Sequence, residues 1–345
     1  MTTTAIYDIS VLARKTQPDA RLLLRLRRLA GAIFGMVAAL LTMHALADQY
    51  PVRPIRIVVP YAPGGGVDFV GRLLAKELNK QLKESVVVDN RGGGGSGVGA
   101  SIVARSTPDG YTLLIGDPAL VTNTRLIPDF PVKLDKDLVP VAMLTASPLL
   151  LSVNPGLPVK SVTELIAYSK SKPNGLSFSS AGVGSTPHLA GEMLHFLTNG
   201  NMVHVAYKGS GPAMLDLISG QIDFAFATQA AAGSYARSGR IRPLATTGET
   251  PSAEFPELPT VGKTIPGFKV IFWTGLFAPA GTPASVIKRL DDTVRDTWQS
   301  EELTNAFKAS GDRPAYQSAA NVRAFLSEES RTWNKLIADA NIKGQ

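Results

Sequence analysis

Short apolar runs alternate with amphipathic segments along most of the chain, beginning at Ile55. The run 55–60 leads into a glycine loop, and apolar residues then recur at helical spacing from Phe69 to about Leu82. The same order of strand, glycine loop and helix repeats from Ser85, and a third strand follows at 111–116. This alternation predicts βα units and a mainly parallel sheet with helices on its faces.

A second series of such units begins near Leu176, after a long apolar stretch, 139–153, that Pro148 is expected to break. Its predicted strands are 176–180, 202–207, 222–227 and 241–246, and its predicted helices start at Pro187 and Pro212. A proline-rich connection, 251–266, then leads to a strand at 270–278 and two helical segments. We therefore predict an α/β protein of two lobes. Residues 48–147 and 266–345 form the first lobe, and residues 148–265 form the second.

The first 47 residues have the pattern of an export signal. A basic stretch, Arg21 to Arg28, precedes an apolar stretch, 29–43, and Ala45-Leu46-Ala47 supplies the small residues that a signal peptidase accepts. The alternative is an uncleaved membrane anchor, because 29–47 approaches the length that spans a bilayer. We expect cleavage after Ala47 and a periplasmic protein, exported by general secretion or, given Arg27-Arg28, by the twin-arginine route.

Most of the excess positive charge lies in this first segment. The formal net charge is +7, and residues 1–47 hold six basic and two acidic residues. The rest of the chain therefore has 29 basic and 26 acidic residues, or +3, which gives no support to nucleic-acid binding. The chain has no cysteine, which excludes disulfides, thiolate metal sites and a lipid-modified N-terminal cysteine.

Glycine loops between a predicted strand and a predicted helix are the candidate ligand site. Gly64 to Gly66 and Gly92 to Gly97 follow the first two strands, and Gly182-Val183-Gly184-Ser185 has the same position in the second lobe. Such loops present main-chain N–H groups at the positive end of a helix, where anions bind. The alternative is that the glycines merely permit tight turns. Three such loops in two facing lobes favour a ligand site.

One glycine pattern raises the question of an enzyme. Gly92-x-Gly94-x-x-Gly97 satisfies the dinucleotide fingerprint, but it follows the second strand rather than the first, and nicotinamide cofactors are seldom available outside the cytoplasm. An NAD(P)-dependent oxidoreductase is therefore the distant alternative.

A candidate metal group shares one helix face and consists of His188, Glu192 and His195. We expect this face to be polar and solvated instead. Trp273, Trp298 and Trp333 occur in apolar surroundings, so we expect them to pack in the core.

Seven stretches together, in order and spacing, resemble the solute-binding proteins of tripartite tricarboxylate transporters, the Bug family of bacterial periplasmic receptors. They are VVPYAPGGGVD at 58–68, DNRGG at 89–93, DGYTLL at 109–114, AGVGSTPHLA at 181–190, HVAYKG at 204–209, SGQID at 219–223 and WTGLFAPAGTP at 273–283. The resemblance spans essentially all of the chain after the export signal.

This resemblance implies a Venus-flytrap binding protein of the type II kind that grips a ligand carboxylate, largely through main-chain N–H groups. It implies no cofactor, metal or catalysis, and it implies a monomer whose partners are a small organic acid and membrane components of the transporter. The residues that it places at the cleft are Tyr61, Ala62, Pro63, Gly64, Gly65, Gly66, Asp68, Gly93, Gly94, Gly95, Asp117, Ser185, Thr186 and Tyr207. For Asp68 we favour a structural role, as the N-cap of the first helix. A sensor that presents its ligand to a membrane signalling partner would share this cleft.

Three positions depart from the pattern of the family. Gly92 and Ala206 stand where the family commonly has proline, which alters backbone stiffness. Asp117 stands where a small or hydroxylated residue is more usual, and its charge argues against a tricarboxylate ligand.

Overall fold

The computed structural model describes residues 50–310, 312–340 and 342, so the predicted export signal lies outside the described residues. The strands are β1 (Ile55–Val59), β2 (Val86–Asn90), β3 (Thr112–Gly116), β4 (Leu138–Val153), β5 (Leu176–Ser180), β6 (Met202–Ala206), β7 (Phe224–Thr228), β8 (Arg242–Thr246), β9 (Ile271–Pro279) and β10 (Pro314–Ser318). The helices are α1 (Gly66–Leu82), α2 (Gly97–Ala104), α3 (Ala119–Leu126), α4 (Leu134–Asp137), α5 (Val162–Ser171), α6 (Thr186–Thr198), α7 (Ser210–Ser219), α8 (Gln229–Arg237), α9 (Val261–Thr264), α10 (Ala284–Trp298), α11 (Glu301–Ser310) and α12 (Ala319–Asp339). Among these helices, none has the length and apolar character needed to cross a membrane.

Two groups of strands share the long strand β4. In the first group, β2, β1, β3 and β9 are neighbours in that order, and β9 pairs with β4 from Leu138 to Pro148. In the second group, β7 and β8 pair with β4 between Leu149 and Val153, and β5 and β6 extend the sheet beyond β7. The two groups of strands therefore meet within a single strand.

Neighbouring strands are parallel, as predicted, at the edges of the sheet, but they are antiparallel at its centre. β1 is parallel to β2 and β3, and β5 is parallel to β6 and β7. β4 is antiparallel to β7, β8, β9 and β10, and β3 is antiparallel to β9. The sheet is thus mixed rather than mainly parallel, because β4 and β9, at its centre, run in opposite directions.

The expectation that Pro148 breaks the extended stretch is wrong, since β4 continues through it. At this position the partner of β4 changes, from β9 to β7 and β8. Proline has no N–H to donate to a ladder, so a change of partners is a place where a strand tolerates it.

Amphipathic helices cover the sheet as the apolar periodicity predicts. Helix α1 buries Val70, Leu74 and Leu78, which are four residues apart and therefore lie on one face. The three tryptophans are buried, as predicted. The indole N–H groups of Trp273 and Trp333 both donate to Glu329, which satisfies the polar edge of each buried ring.

Candidate functional site

A small cavity lies where the strand ends of the two lobes meet. Its lining comes from both lobes and consists of Tyr61, Gly65, Gly66, Val67, Asp117, Ala181, Ser185, Pro187, Ser210, Thr228 and Phe272. The cavity has a volume of about 20 Å³, which is room for about one water molecule. A ligand of several carbon atoms therefore requires the walls of this cavity to move apart.

Four helices begin at lining residues of this cavity, and a fifth begins beside it. Helices α1 and α7 start with the lining residues Gly66 and Ser210, and Ser185 and Thr228 are the N-caps of α6 and α8. Helix α3 starts two residues after Asp117. The first N–H groups of a helix have no partner within the helix and carry a partial positive charge. The lining includes no Lys, Arg or His, so the donors available to an anion are main-chain N–H groups and hydroxyl groups.

A buried carboxylate and a buried phenol form one wall. The Tyr61 hydroxyl donates to Oδ2 of Asp117 at 2.7 Å, and the N–H of Ala119 donates to Oδ1 at 3.2 Å. Asp117 is 1% exposed, and burial raises its pKa to about 6 despite these two hydrogen bonds. Burial, together with the neighbouring Asp117, raises the pKa of Tyr61 well above its ordinary value. The sequence placed both residues at the cleft, and the structure brings them into contact.

The loop 182–185 is held by hydrogen bonds within the loop and to helix α6. The Ser185 hydroxyl donates to the carbonyl of Gly182 at 2.6 Å, and the N–H of Gly184 donates to Nδ1 of His188 at 3.0 Å. The His188 ring packs 4.0 Å from the ring of His204, measured between centroids. These contacts fix the direction of the main-chain N–H groups at the start of α6.

The expectation of a solvated face on α6 is wrong for His188, which is 3% exposed. Burial and the neighbouring His204 lower its pKa to about 3, so the ring is neutral and can accept the Gly184 N–H. The cause is the packing of α6 on β5 at Gly191, which turns His188 toward the loop and β6. Within the described residues, no group of three or more His, Asp or Glu is arranged to hold a metal ion.

The two lobes touch directly beside the cavity. The Thr122 hydroxyl on α3 donates to the carbonyl of Gly184 at 2.7 Å. A Cβ atom at Gly184 would lie 1.4 Å from Oδ1 of Asn123, and one at Gly95 would lie 2.9 Å from the carbonyl oxygen of Val183. The predicted loops Gly93 to Gly95 and 182–185 therefore meet across the cleft, and glycine is required at their contact.

The remaining predicted residues lie around the cavity rather than in its lining. Ala62 is packed near Gly209 of the other lobe, and Pro63 lies near Gly211. Thr186 is fully buried at the start of α6. The Tyr207 hydroxyl donates to Asp216 at 2.6 Å and is thereby used within its own lobe. Gly64, Gly93 and Gly94 have positive φ and shape the loops.

Asp68 supports the first loop, although it is not the N-cap that we expected. The N-cap of α1 is Gly65, and Asp68 lies in the first turn. Its carboxylate accepts hydrogen bonds from Gly64 N, Arg72 Nε and Asn90 Nδ2 at 3.0, 2.9 and 2.9 Å. Burial alone would raise the pKa of Asp68, but these bonds and the Arg72 charge lower it. Its carboxylate thus holds the loop 61–65 against β2.

Six lining residues were not predicted: Val67, Ala181, Pro187, Ser210, Thr228 and Phe272. All but Phe272 lie at a junction between a strand and a helix. The same rule that selected the glycine loops could have selected Ser210 in the turn Gly209-Ser210-Gly211 and Thr228 at the end of β7.

Comparisons with known proteins agree with the resemblance that the sequence stretches suggested. Residues 70–342 match the family described as tripartite tricarboxylate transporter family receptor. BugT of Bordetella pertussis is 36% identical over 300 residues, which cover 86% of this chain and 92% of BugT.

Two solved structures with bound dicarboxylates superpose well on the chain. R. palustris Rpa4515 with adipate has a TM-score of 0.83 at 32% identity, covering 86% of this chain and 100% of that one. MatC (Rpa3494) from Rhodopseudomonas palustris with bound malate has a TM-score of 0.80 at 31% identity, covering 84% and 100%. The family match spans most of the chain and the superpositions confirm the two-lobed fold. The chain belongs to the tripartite tricarboxylate transporter family of receptors.

Proposed function

We propose that this chain is a periplasmic receptor that captures a small molecule bearing a carboxylate, or a neutral mimic of one, and delivers it to the membrane components of a tripartite tricarboxylate-type transporter. The observation that carries this proposal is the convergence of four helix N-termini on one cavity whose lining has no cationic side chain. Two relatives of the same fold hold dicarboxylates, adipate and malate, which supports a carboxylate as the ligand.

The main-chain donors of such a site supply part of the binding free energy that capture requires. A hydrogen bond to a charged group contributes about 1.5 to 3 kcal/mol, so three or four main-chain donors give about 5 to 12 kcal/mol. Association costs about 4 kcal/mol or more, whereas micromolar binding requires about −8 kcal/mol. Contacts with the rest of the ligand must supply the difference, and these contacts determine specificity.

We propose that the lobes consist of about 48–147 with 266–345, and of 148–265. The change of strand partners between Pro148 and Leu149 supports the first boundary. β4 and β9 are then the hinge, and rotation about them opens the cavity while each lobe stays packed. The hydrogen bond from Thr122 to Gly184 stabilises the closed arrangement.

The site is built for binding rather than for chemistry. A serine nucleophile needs a base within hydrogen-bond distance, and the hydroxyl of Ser185 instead donates to a carbonyl of its own loop. We therefore expect the ligand to be released unchanged. Nuclear magnetic resonance spectra of the ligand after prolonged incubation with the protein would show any conversion.

We further propose that the mature protein begins at Asp48. The order of basic, apolar and small residues before it supports cleavage after Ala47. Intact-mass measurement of protein from the periplasm tests this, and a mass that includes residues 1–47 would contradict it.

A thermal-shift screen of carboxylates and their amides, followed by calorimetry, tests the proposed function. We expect at least one carboxylate to raise the unfolding temperature and to bind at micromolar concentration or below, with and without EDTA. Binding that EDTA abolishes, or failure of every carboxylate and amide to bind, would contradict the proposal. Loss of uptake of that ligand on deletion of the gene would link the receptor to transport rather than to sensing.

A further inference from the structure

Asp117 is a buried negative charge in a site that otherwise suits anions. It is the one charged side chain in the cavity lining, and it is 1% exposed. Among the described residues, its carboxylate has hydrogen-bond neighbours but no ion pair with a Lys, Arg or His. Buried charges are normally paired, because leaving water is costly for an isolated ion.

The carboxylate also has unused capacity to accept hydrogen bonds. Its two oxygens together accept about four hydrogen bonds, and the protein supplies two of them, from Tyr61 and Ala119. The Tyr61 oxygen, which donates its own proton to Asp117, can itself still accept. The wall of the cavity therefore presents acceptors, whereas the helix N-termini around it present donors.

A ligand that carries carboxylates alone would satisfy the donors and would bring a second negative charge close to Asp117. A ligand with an ammonium group would instead supply the missing positive charge and up to three N–H donors. We infer that the ligand of this receptor is a zwitterion of the amino-acid class, with its carboxylate at the helix N-termini and its ammonium group held by Asp117 and Tyr61. This inference rests on the proposed carboxylate-binding function and narrows it.

Matched pairs of ligands test the inference on the wild-type protein. The pairs are L-aspartate and succinate, L-glutamate and glutarate, and L-alanine and propionate, each measured by calorimetry at pH 7.5. We expect the amino member of at least one pair to bind at least tenfold more tightly than its partner. Tighter or equal binding of the members without an amino group would overturn the inference and leave the proposed function intact. Failure of all six to bind, if other carboxylates bind in the screen, would overturn the inference alone.

Substitution of Asp117 then assigns the preference to its side chain. In Asp117→Asn and Asp117→Thr we expect the affinity ratio within the preferred pair to fall at least tenfold, chiefly through weaker binding of the amino member. Asp291→Asn is a matched control, because Tyr316 on β10 donates to Asp291 on α10 at 2.8 Å in a similar pair outside the cavity. An unchanged ratio in folded Asp117 variants would overturn the inference. If neither variant folds, Tyr61→Phe, which removes one acceptor, must still lower the ratio.

Discussion

Replacement of Gly66 by alanine is expected to place a methyl group between the two lobes and to hinder their closure. A Cβ atom at this position would lie 2.6 Å from Oγ1 and 3.2 Å from Cβ of Thr228, which belongs to the other lobe. Gly65 provides a matched control, because a Cβ atom there meets nothing closer than 3.9 Å, at Ser210. Neither glycine has a positive φ, so alanine fits the backbone at both positions.

The expected loss of affinity depends on how the overlap between the added Cβ atom and Thr228 can be relieved. Rotation of Thr228 would lose its hydrogen bond as N-cap of α8, at a cost of about 1 kcal/mol, and would leave its Cβ in place. Thr228 pairs with Leu149 beside the proposed hinge. A given rotation of the lobes therefore moves Thr228 only a short distance away from Gly66. Overpacking of this kind costs about 1 to 3 kcal/mol, which corresponds to a loss of affinity of about 5-fold to 150-fold.

Calorimetry with a ligand from the screen measures this loss. Gly66→Ala should bind more weakly by that factor, and Gly65→Ala should remain within about threefold of the wild type. The double variant Gly66→Ala/Thr228→Ala should recover much of the affinity that Gly66→Ala loses, as a double-mutant cycle would show. Thermal unfolding confirms that each variant is folded. Equal affinities of the two single variants would refute the steric reasoning.

Three further predictions concern closure, acid stability and packing. Thr122→Val removes the hydrogen bond to Gly184 and should weaken ligand binding by about 1 to 3 kcal/mol in calorimetry; unchanged affinity would contradict a role in closure. The pKa of His188 is lowered to about 3 in the folded protein, so its contribution to stability is complete above its unfolded pKa of 6.5 and is lost as the pH falls toward 3. Urea unfolding should therefore show the advantage of wild type over His188→Phe shrinking by about 2 kcal/mol between pH 7 and 5; a constant advantage would contradict the buried neutral ring. Gly191→Ala places a Cβ atom 2.1 Å from the ring of Phe178 and should lower the free energy of unfolding by about 1 to 3 kcal/mol in the same assay.

Two helices show which elements the sequence could and could not predict. Helix α1 was predicted because Val70, Leu74 and Leu78 face one sheet. Helix α3 was not predicted, because its eight residues include Thr122 and Asn123, which are fully buried against the other lobe rather than in an apolar core. A polar residue that is buried by a distant segment adds nothing to the apolar periodicity of its own helix, so the sequence does not indicate its burial.

The sequence also indicated part of the lining of the candidate site. Tyr61, Gly65, Gly66, Asp117 and Ser185, which the resemblance assigns to the cleft, lie in the cavity lining. Of the lining residues that were missed, Ser210 and Thr228 approach Gly65 and Gly66 across the cleft, and only their position between a strand and a helix could have selected them. The support of the loop 182–185 by a buried histidine was also beyond prediction, because the same spacing fits a solvated helix face.

In the proposed site, the groups that would bind a carboxylate differ from the groups that would select the ligand. Main-chain donors at helix ends survive any side-chain substitution that leaves the loops in place, and Asp68 and His188 hold two of these loops from outside the cavity. Side chains that line the cavity can then differ between receptors without loss of the anion site. Asp117 is such a position, because its carboxylate sets the charge of one wall, whereas the four helix ends in the lining present main-chain groups. We therefore expect substitution of Asp117 to change which ligand is preferred while carboxylate binding is kept, and the matched ligand pairs, measured on the Asp117 variants, test this.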